Sequence, residues 1–203
     1  GYLFAMPELP EVETVRRGLA TVLDGALLTN VMLRRRSLRV PIPDDFEARL
    51  IGKRIVRLGR RAKYLLADLS SGDVLLMHLG MSGSFRVLRD SRETTPGAYH
   101  HERSKALAHD HVVFEMSSGH SIVFNDPRRF GFMKMFPRAE IEDEPHLKGL
   151  GPEPLGNSFG AVSHHRDKIG TRLAQQIHRH GRLRRRIFDF ADPLGHRKKS
   201  VLD

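Results

Sequence analysis

"HVVFEMSSGHSIVFND", His111 to Asp126, holds two runs of Val, Phe and Ile on either side of a Ser118-Gly119 pair. Apolar runs rich in β-branched and aromatic residues, divided by such a turn signal, read as neighbouring strands. The pattern recurs upstream. "KRIVRLGRRAKYLLADL" (Lys53–Leu69) and "DVLLMHLGMSGSFRVL" (Asp73–Leu88) flank Ser71-Gly72, while "ALLTNVMLRR" (Ala26–Arg35) and "FGFMKMF" (Phe130–Phe136) add two more runs. Strands at this spacing, with one early helix and a short helix near Asp45–Leu50, predict a mainly β fold: a two-sheet β-sandwich with an N-terminal helix.

Working outward, the early helix follows Pro10. Val12, Val15, Leu19 and Val22 recur at three- and four-residue steps, the spacing of an amphipathic helix, which should end near Asp24-Gly25. Pro10 suits the first helical turn, and the acidic residues there favour the positive end of the helix dipole. "SRETTPGAYHHERSKALAHD" (Ser91–Asp110) reads as a long polar loop. "LGPEPLG" (Leu150–Gly156) reads as a Pro/Gly linker and a domain boundary. The expected division is an extension over residues 1–5, the sandwich domain over 6–155, and a divergent basic tail over 156–203. That tail, with "RDKIGTRLAQQIHRHGRLRRRIFDF" at its centre, is expected to be irregular or helical and partly disordered.

The chain of 203 residues carries a formal charge of +10, which fits a polyanionic partner such as nucleic acid. From Ala161 onward 11 Lys and Arg face 4 Asp and Glu, a net of +7, whereas the first 160 residues have a net of only +3. Bulk charge therefore says little about the sandwich, where particular residues must carry any DNA argument. No apolar run approaches the roughly 20 residues of a membrane span, and there is no cysteine for a disulfide or thiolate zinc site. The expected setting is cytoplasmic. "HDH" (His109, His111) could form a metal pair, but no third ligand is evident and no metal is expected.

Five stretches occur in a fixed order: "PELPEVETVRRGL" (Pro7–Leu19), "GRRAKYLL" (Gly59–Leu66), "HLGMSGS" (His78–Ser84), "DPRRFG" (Asp126–Gly131) and "LGPEPL" (Leu150–Leu155). Together they resemble bacterial formamidopyrimidine-DNA glycosylase over about Met6 to Leu155. The resemblance implies a base-excision repair enzyme. It would remove oxidised purines such as 8-oxoguanine and formamidopyrimidines from double-stranded DNA, then nick the strand as a lyase, acting as a nucleoid-associated monomer. It makes Pro7 the nucleophile once the preceding Met is removed, Glu8 the adjacent acid/base group, and Lys63 the proton donor in β-elimination. It also makes Met81, Arg128 and Phe130 the wedge that fills the gap left by a flipped nucleotide, and His109 a phosphate contact. Gly80, Gly83 and Gly131 favour tight turns that expose these neighbours.

The pattern of the family stops after Leu155. Its members continue into a helix–two-turns–helix and a zinc finger held by four cysteines, a cofactor for which this chain has no ligands. A changed reading frame is one expectation for the tail. If "GYLFA" (Gly1–Ala5) stays attached, the Pro7 nitrogen is an amide and cannot attack a sugar. Two alternatives stay open beside the glycosylase/lyase: an inactive DNA-binding remnant, and an oxidised-pyrimidine glycosylase of the same superfamily. For the sandwich without its clamp, weak and salt-sensitive DNA binding with little lesion preference is expected.

Overall fold

A computed structural model describes residues 7–97 and 106–151. The tail over 156–203 and the extension over 1–5 lie outside the described residues. Helix α1 (Leu9–Leu23) has Pro10 in its first turn and ends at Asp24, whose N–H donates to the Ala20 carbonyl. Its buried stripe, Val12, Val15, Leu19 and Leu23, faces the sheets. Helix α2 is a short turn, Phe46–Leu50, with both end residues fully buried. Each such buried Leu or Phe contributes about 1.5–3 kcal/mol relative to exposure.

The strands are β1 (Leu28–Leu33), β2 (Ile55–Arg61), β3 (Tyr64–Leu69), β4 (Asp73–His78), β5 (Ser84–Arg89), β6 (Arg92–Thr94), β7 (Asp110–Met116), β8 (Ser121–Asn125) and β9 (Phe132–Pro137). They form two antiparallel sheets, ordered β1-β7-β8-β5-β6 and β2-β3-β4-β9. The fold is therefore the mainly β two-sheet sandwich with an N-terminal helix.

Three details differ from the sequence reading. "KRIVRLGRRAKYLLADL" is a hairpin, β2 and β3, joined by the two residues Ala62 and Lys63, with Ala62 in the left-handed region at φ 47°. "DVLLMHLGMSGSFRVL" is two strands in different sheets, because residues 79–83 carry the chain across. The first part of the polar loop forms β6, which pairs with β5; residues 98–105 of that loop lie outside the described residues.

One core lies between the sheets and under α1, joining Val15, Leu19, Leu58, Leu65, Met77, Phe85, Phe124 and Met133. A second covers the outer face of the four-stranded sheet, where Leu66, Val74, Leu76, Phe132 and Phe136 meet Leu147. Strands buried on both faces read as continuous apolar runs rather than alternation. This explains "LLADL", "DVLLM" and "FMKMF". Among the described residues no helix is long and apolar enough to cross a membrane.

Candidate functional site

Strand register brings the site residues to one end of the sandwich. In one sheet, Tyr64, His78 and Phe132 are register partners across β3, β4 and β9. In the other, Ser84, Asn125 and Asp110 are partners across β5, β8 and β7. The Ala62-Lys63 turn precedes Tyr64, and residues 79–83 run from His78 to Ser84. Residues 126–131 run from Asn125 back to Phe132, and His109 immediately precedes Asp110. Of the three crossings between sheets among the described residues, those after β4 and β8 run side by side, and they carry Met81 and the Arg128–Phe130 tip.

At the helix end of this cluster, Pro7 is buried and Glu8 is exposed. Glu8 occupies the N-cap of α1 with extended backbone, but its side chain makes no capping bond. The carboxylate is free to turn outward, and its Oε2 lies 3.6 Å from Lys63 Nζ. The pair is solvent-exposed and contributes little stability. Its importance lies in placing a carboxylate and an ammonium together directly behind Pro7.

A buried ion cluster fixes that placement. Glu13, one turn further along α1, accepts hydrogen bonds from Arg16, Arg17 and the fully buried Arg60. Arg60 Nη1 donates to the Ala62 carbonyl at 2.8 Å, gripping the turn that holds Lys63. Burial alone would raise the Glu13 pKa; the hydrogen bonds from Arg16, Arg60 and Arg17 outweigh it and hold the carboxyl at about 2.

His78 leads into the 79–83 crossing, stacked on Phe132 at 5.4 Å and beside Tyr64 at 5.1 Å. Burial lowers its pKa to about 4, helped by the positive charges of Arg39, Lys63 and His146. The ring is neutral at pH 7, and its Nδ1 accepts the Gly80 N–H at 3.0 Å.

The three residues expected to form the wedge lie at the surface. Arg128 and Phe130 are exposed and Met81 is half-buried. The Arg128 guanidinium lies over the Phe130 ring, 4.9 Å from its centroid, a cation–π contact that preorients both. Arg129 between them adopts φ 59°, which folds the tip back on itself. Gly80 does more than expose its neighbours: at φ +64°, a Cβ there would lie 2.5 Å from the Gly131 nitrogen and against the Phe130 carbonyl carbon. The two loops touch backbone to backbone.

His109 closes a short 3-10 turn, Leu107–His109, and is half-exposed at the same end. It does not share a strand face with His111. The latter is buried in β7, where its Nε2 donates to the Asp126 carbonyl at 2.8 Å. The structure thus gathers Pro7, Glu8 and Lys63 at one edge of the end face, and Met81, Arg128 and Phe130 in adjoining loops, with His109 in the turn that leads into β7. Sequence reasoning missed the Glu13–Arg60 cluster, His78, Ser82 and Asp126. Arg16 and Arg17, three and four residues after Glu13, were a local signal for the first; Ser82 meets Asp126 and Arg128 only across 44 and 46 residues.

Residues 6–133 match the family described as formamidopyrimidine-DNA glycosylase N-terminal domain. The chain is 69% identical over 156 residues to the formamidopyrimidine-DNA glycosylase of Rhodopseudomonas palustris strain TIE-1, covering 77% of this chain and 54% of that protein. It is 68% identical over 157 residues to that of Bradyrhizobium sp. strain BTAi1, with the same shares. Among solved structures it is similar to the wild-type Lactococcus lactis Fpg in complex with DNA containing N7-benzyl-Fapy-dG. That match has a TM-score of 0.55 and 27% identity, covering 68% of this chain and 46% of the other. A complex of the same Lactococcus protein with DNA containing an abasic site is also similar, with a TM-score of 0.55 and 26% identity. The chain spans about half the length of the curated relatives it matches.

Proposed function

The chain belongs to the formamidopyrimidine-DNA glycosylase N-terminal domain family, and on that premise we propose that it carries the catalytic half of a base-excision repair glycosylase/lyase acting on oxidised purines. The observation that carries this reading is the pairing of the Glu8 carboxylate with the Lys63 ammonium, 3.6 Å apart, directly behind Pro7.

The chemistry requires the Pro7 nitrogen to be a free secondary amine. With a pKa of about 8, on the order of a tenth of such groups are neutral at pH 7. The nitrogen attacks C1′ and the damaged base departs with the bonding electrons of the glycosidic link. Loss of the amine proton and opening of the sugar ring leave an iminium. Glu8 is within reach to move protons at the sugar. The iminium acidifies C2′; removal of a proton there expels the 3′ phosphate, with Lys63 supplying a proton to the departing side. Met81, Arg128 and Phe130 occupy the space of the flipped nucleotide, and His109 meets phosphate. DNA is the partner on this reading. The zinc of the family needs four cysteines, and this sequence supplies none.

The test is excision of 8-oxoguanine from a duplex by the chain beginning at Pro7, with and without Glu8→Gln. The variant is expected to lose base excision by at least about 100-fold, the usual contribution of a positioned acid/base group. Full activity in Glu8→Gln would remove Glu8 from the mechanism.

A further inference from the structure

We propose that Asp126 and Ser82 are positioning residues that fasten the two wedge loops into one unit, so that Met81 and the Arg128–Phe130 tip enter DNA together. The proposal rests on the functional reading above. Asp126 is fully buried. Its Oδ1 accepts the Ser82 hydroxyl proton at 2.5 Å, and its Oδ2 accepts the Gly131 N–H at 2.8 Å. Ser82 Oγ in turn accepts the Arg128 N–H at 3.1 Å. One carboxylate and one hydroxyl therefore tie the residue after Met81 to both sides of the Arg128–Phe130 tip.

The backbone of Asp126 extends the same knot. Its N–H donates to the His109 carbonyl at 2.9 Å, and its carbonyl accepts from His111 Nε2 at 2.8 Å and the Arg129 N–H at 3.3 Å. The turn at His109 is thereby held against the same residue. Hydrogen bonds to a buried carboxylate are stronger than neutral ones. Here they are spent on joining loops, since Ser82 and Asp126 are 44 residues apart. The consequence is mechanical: neither loop can swing without breaking bonds in the other.

Amide hydrogen exchange reads this without DNA. Ser82→Ala is expected to raise exchange about tenfold or more at Arg128 and Gly131, the loss of roughly one hydrogen bond of ordinary strength. Strands β7 and β8 should be unaffected, and Ser82→Thr, which keeps the hydroxyl, should restore protection. Asp126→Asn should loosen residues 79–83 in the same way. Exchange that rises only in the substituted loop would overturn the proposal. A second arm measures affinity for a duplex with an abasic-site analogue. Met81→Ala and Arg128→Ala should be non-additive in the parent and additive in Ser82→Ala; additivity already in the parent would overturn it. Failure to bind any duplex would instead contradict the functional reading, and the exchange arm alone would then decide the latch.

Discussion

Glu13→Ala is expected to lower the stability of the sandwich by about 3–5 kcal/mol, the cost of removing one partner from a buried ion pair. Arg60 has no exposed surface, and Glu13 is only 6% exposed. Alanine leaves the guanidinium buried without the carboxylate at 2.9 Å that now neutralises it. For a domain whose net stability is about 5–15 kcal/mol, this is a large fraction. Replacing the exposed Asp44 should change stability by no more than about 0.5 kcal/mol.

The effect should depend on pH with a definite sign. The folded pKa of Glu13, about 2, lies below its ordinary value of 4.5. Its contribution is therefore fully present above about pH 4.5 and is lost as pH falls toward 2. Urea unfolding at pH 7 and pH 3 should show the gap between parent and Glu13→Ala narrowing in acid. A constant gap would mean that the carboxylate charge is not what stabilises the cluster. Activity should fall further than stability, because Arg60 also holds the Ala62 carbonyl and hence Lys63.

Gly80→Ala is expected to be the most damaging single methyl in the described residues for DNA binding. A left-handed backbone costs an L-residue about 1–2 kcal/mol by itself. Gly119, at φ +82° with nothing within 4 Å of a built Cβ, isolates that term, so Gly119→Ala should cost about this much. Gly80 carries the same strain, and its Cβ would also collide with backbone at Phe130 and Gly131. Overpacking adds about 1–3 kcal/mol, and relief requires parting the loops at residues 79–83 and 126–131. Affinity for an abasic-site duplex should then fall in Gly80→Ala and stay unchanged in Gly119→Ala. Equal behaviour of the two variants in both stability and binding would refute the close-approach account.

The sandwich was legible because its signals are local. Apolar runs split at Ser71-Gly72 and Ser118-Gly119 do mark strand ends, and the spacing of Val12, Val15 and Leu19 does mark α1. The crossing at residues 79–83 was hidden because "LGMSG" continues an apolar run; only its glycines hinted at a break. The outer cover of the four-stranded sheet was hidden for another reason. Leu147 comes from a segment with no periodicity of its own. The candidate site residues were named only through the motif resemblance. Read blindly, Met81 and Phe130 are core residues, yet Phe130 is 41% exposed. The buried contacts beside these loops and the Ala62-Lys63 turn, Asp126 with Ser82 and Arg60 with Glu13, meet across 44 and 47 residues. No local pattern records such pairings.

The central claim is that Pro7, freed at the N-terminus beside Glu8 and Lys63, is the nucleophile. Borohydride trapping on a duplex containing an abasic site tests it most directly, using the chain begun at Pro7 and the chain begun at Gly1. The expected result is a covalent adduct with the first, mapped by mass spectrometry to the Pro7 nitrogen, and none with the second. An adduct mapped to Lys63 or another amine, equal trapping by both chains, or no adduct from the Pro7 chain while it binds the duplex, would contradict the account.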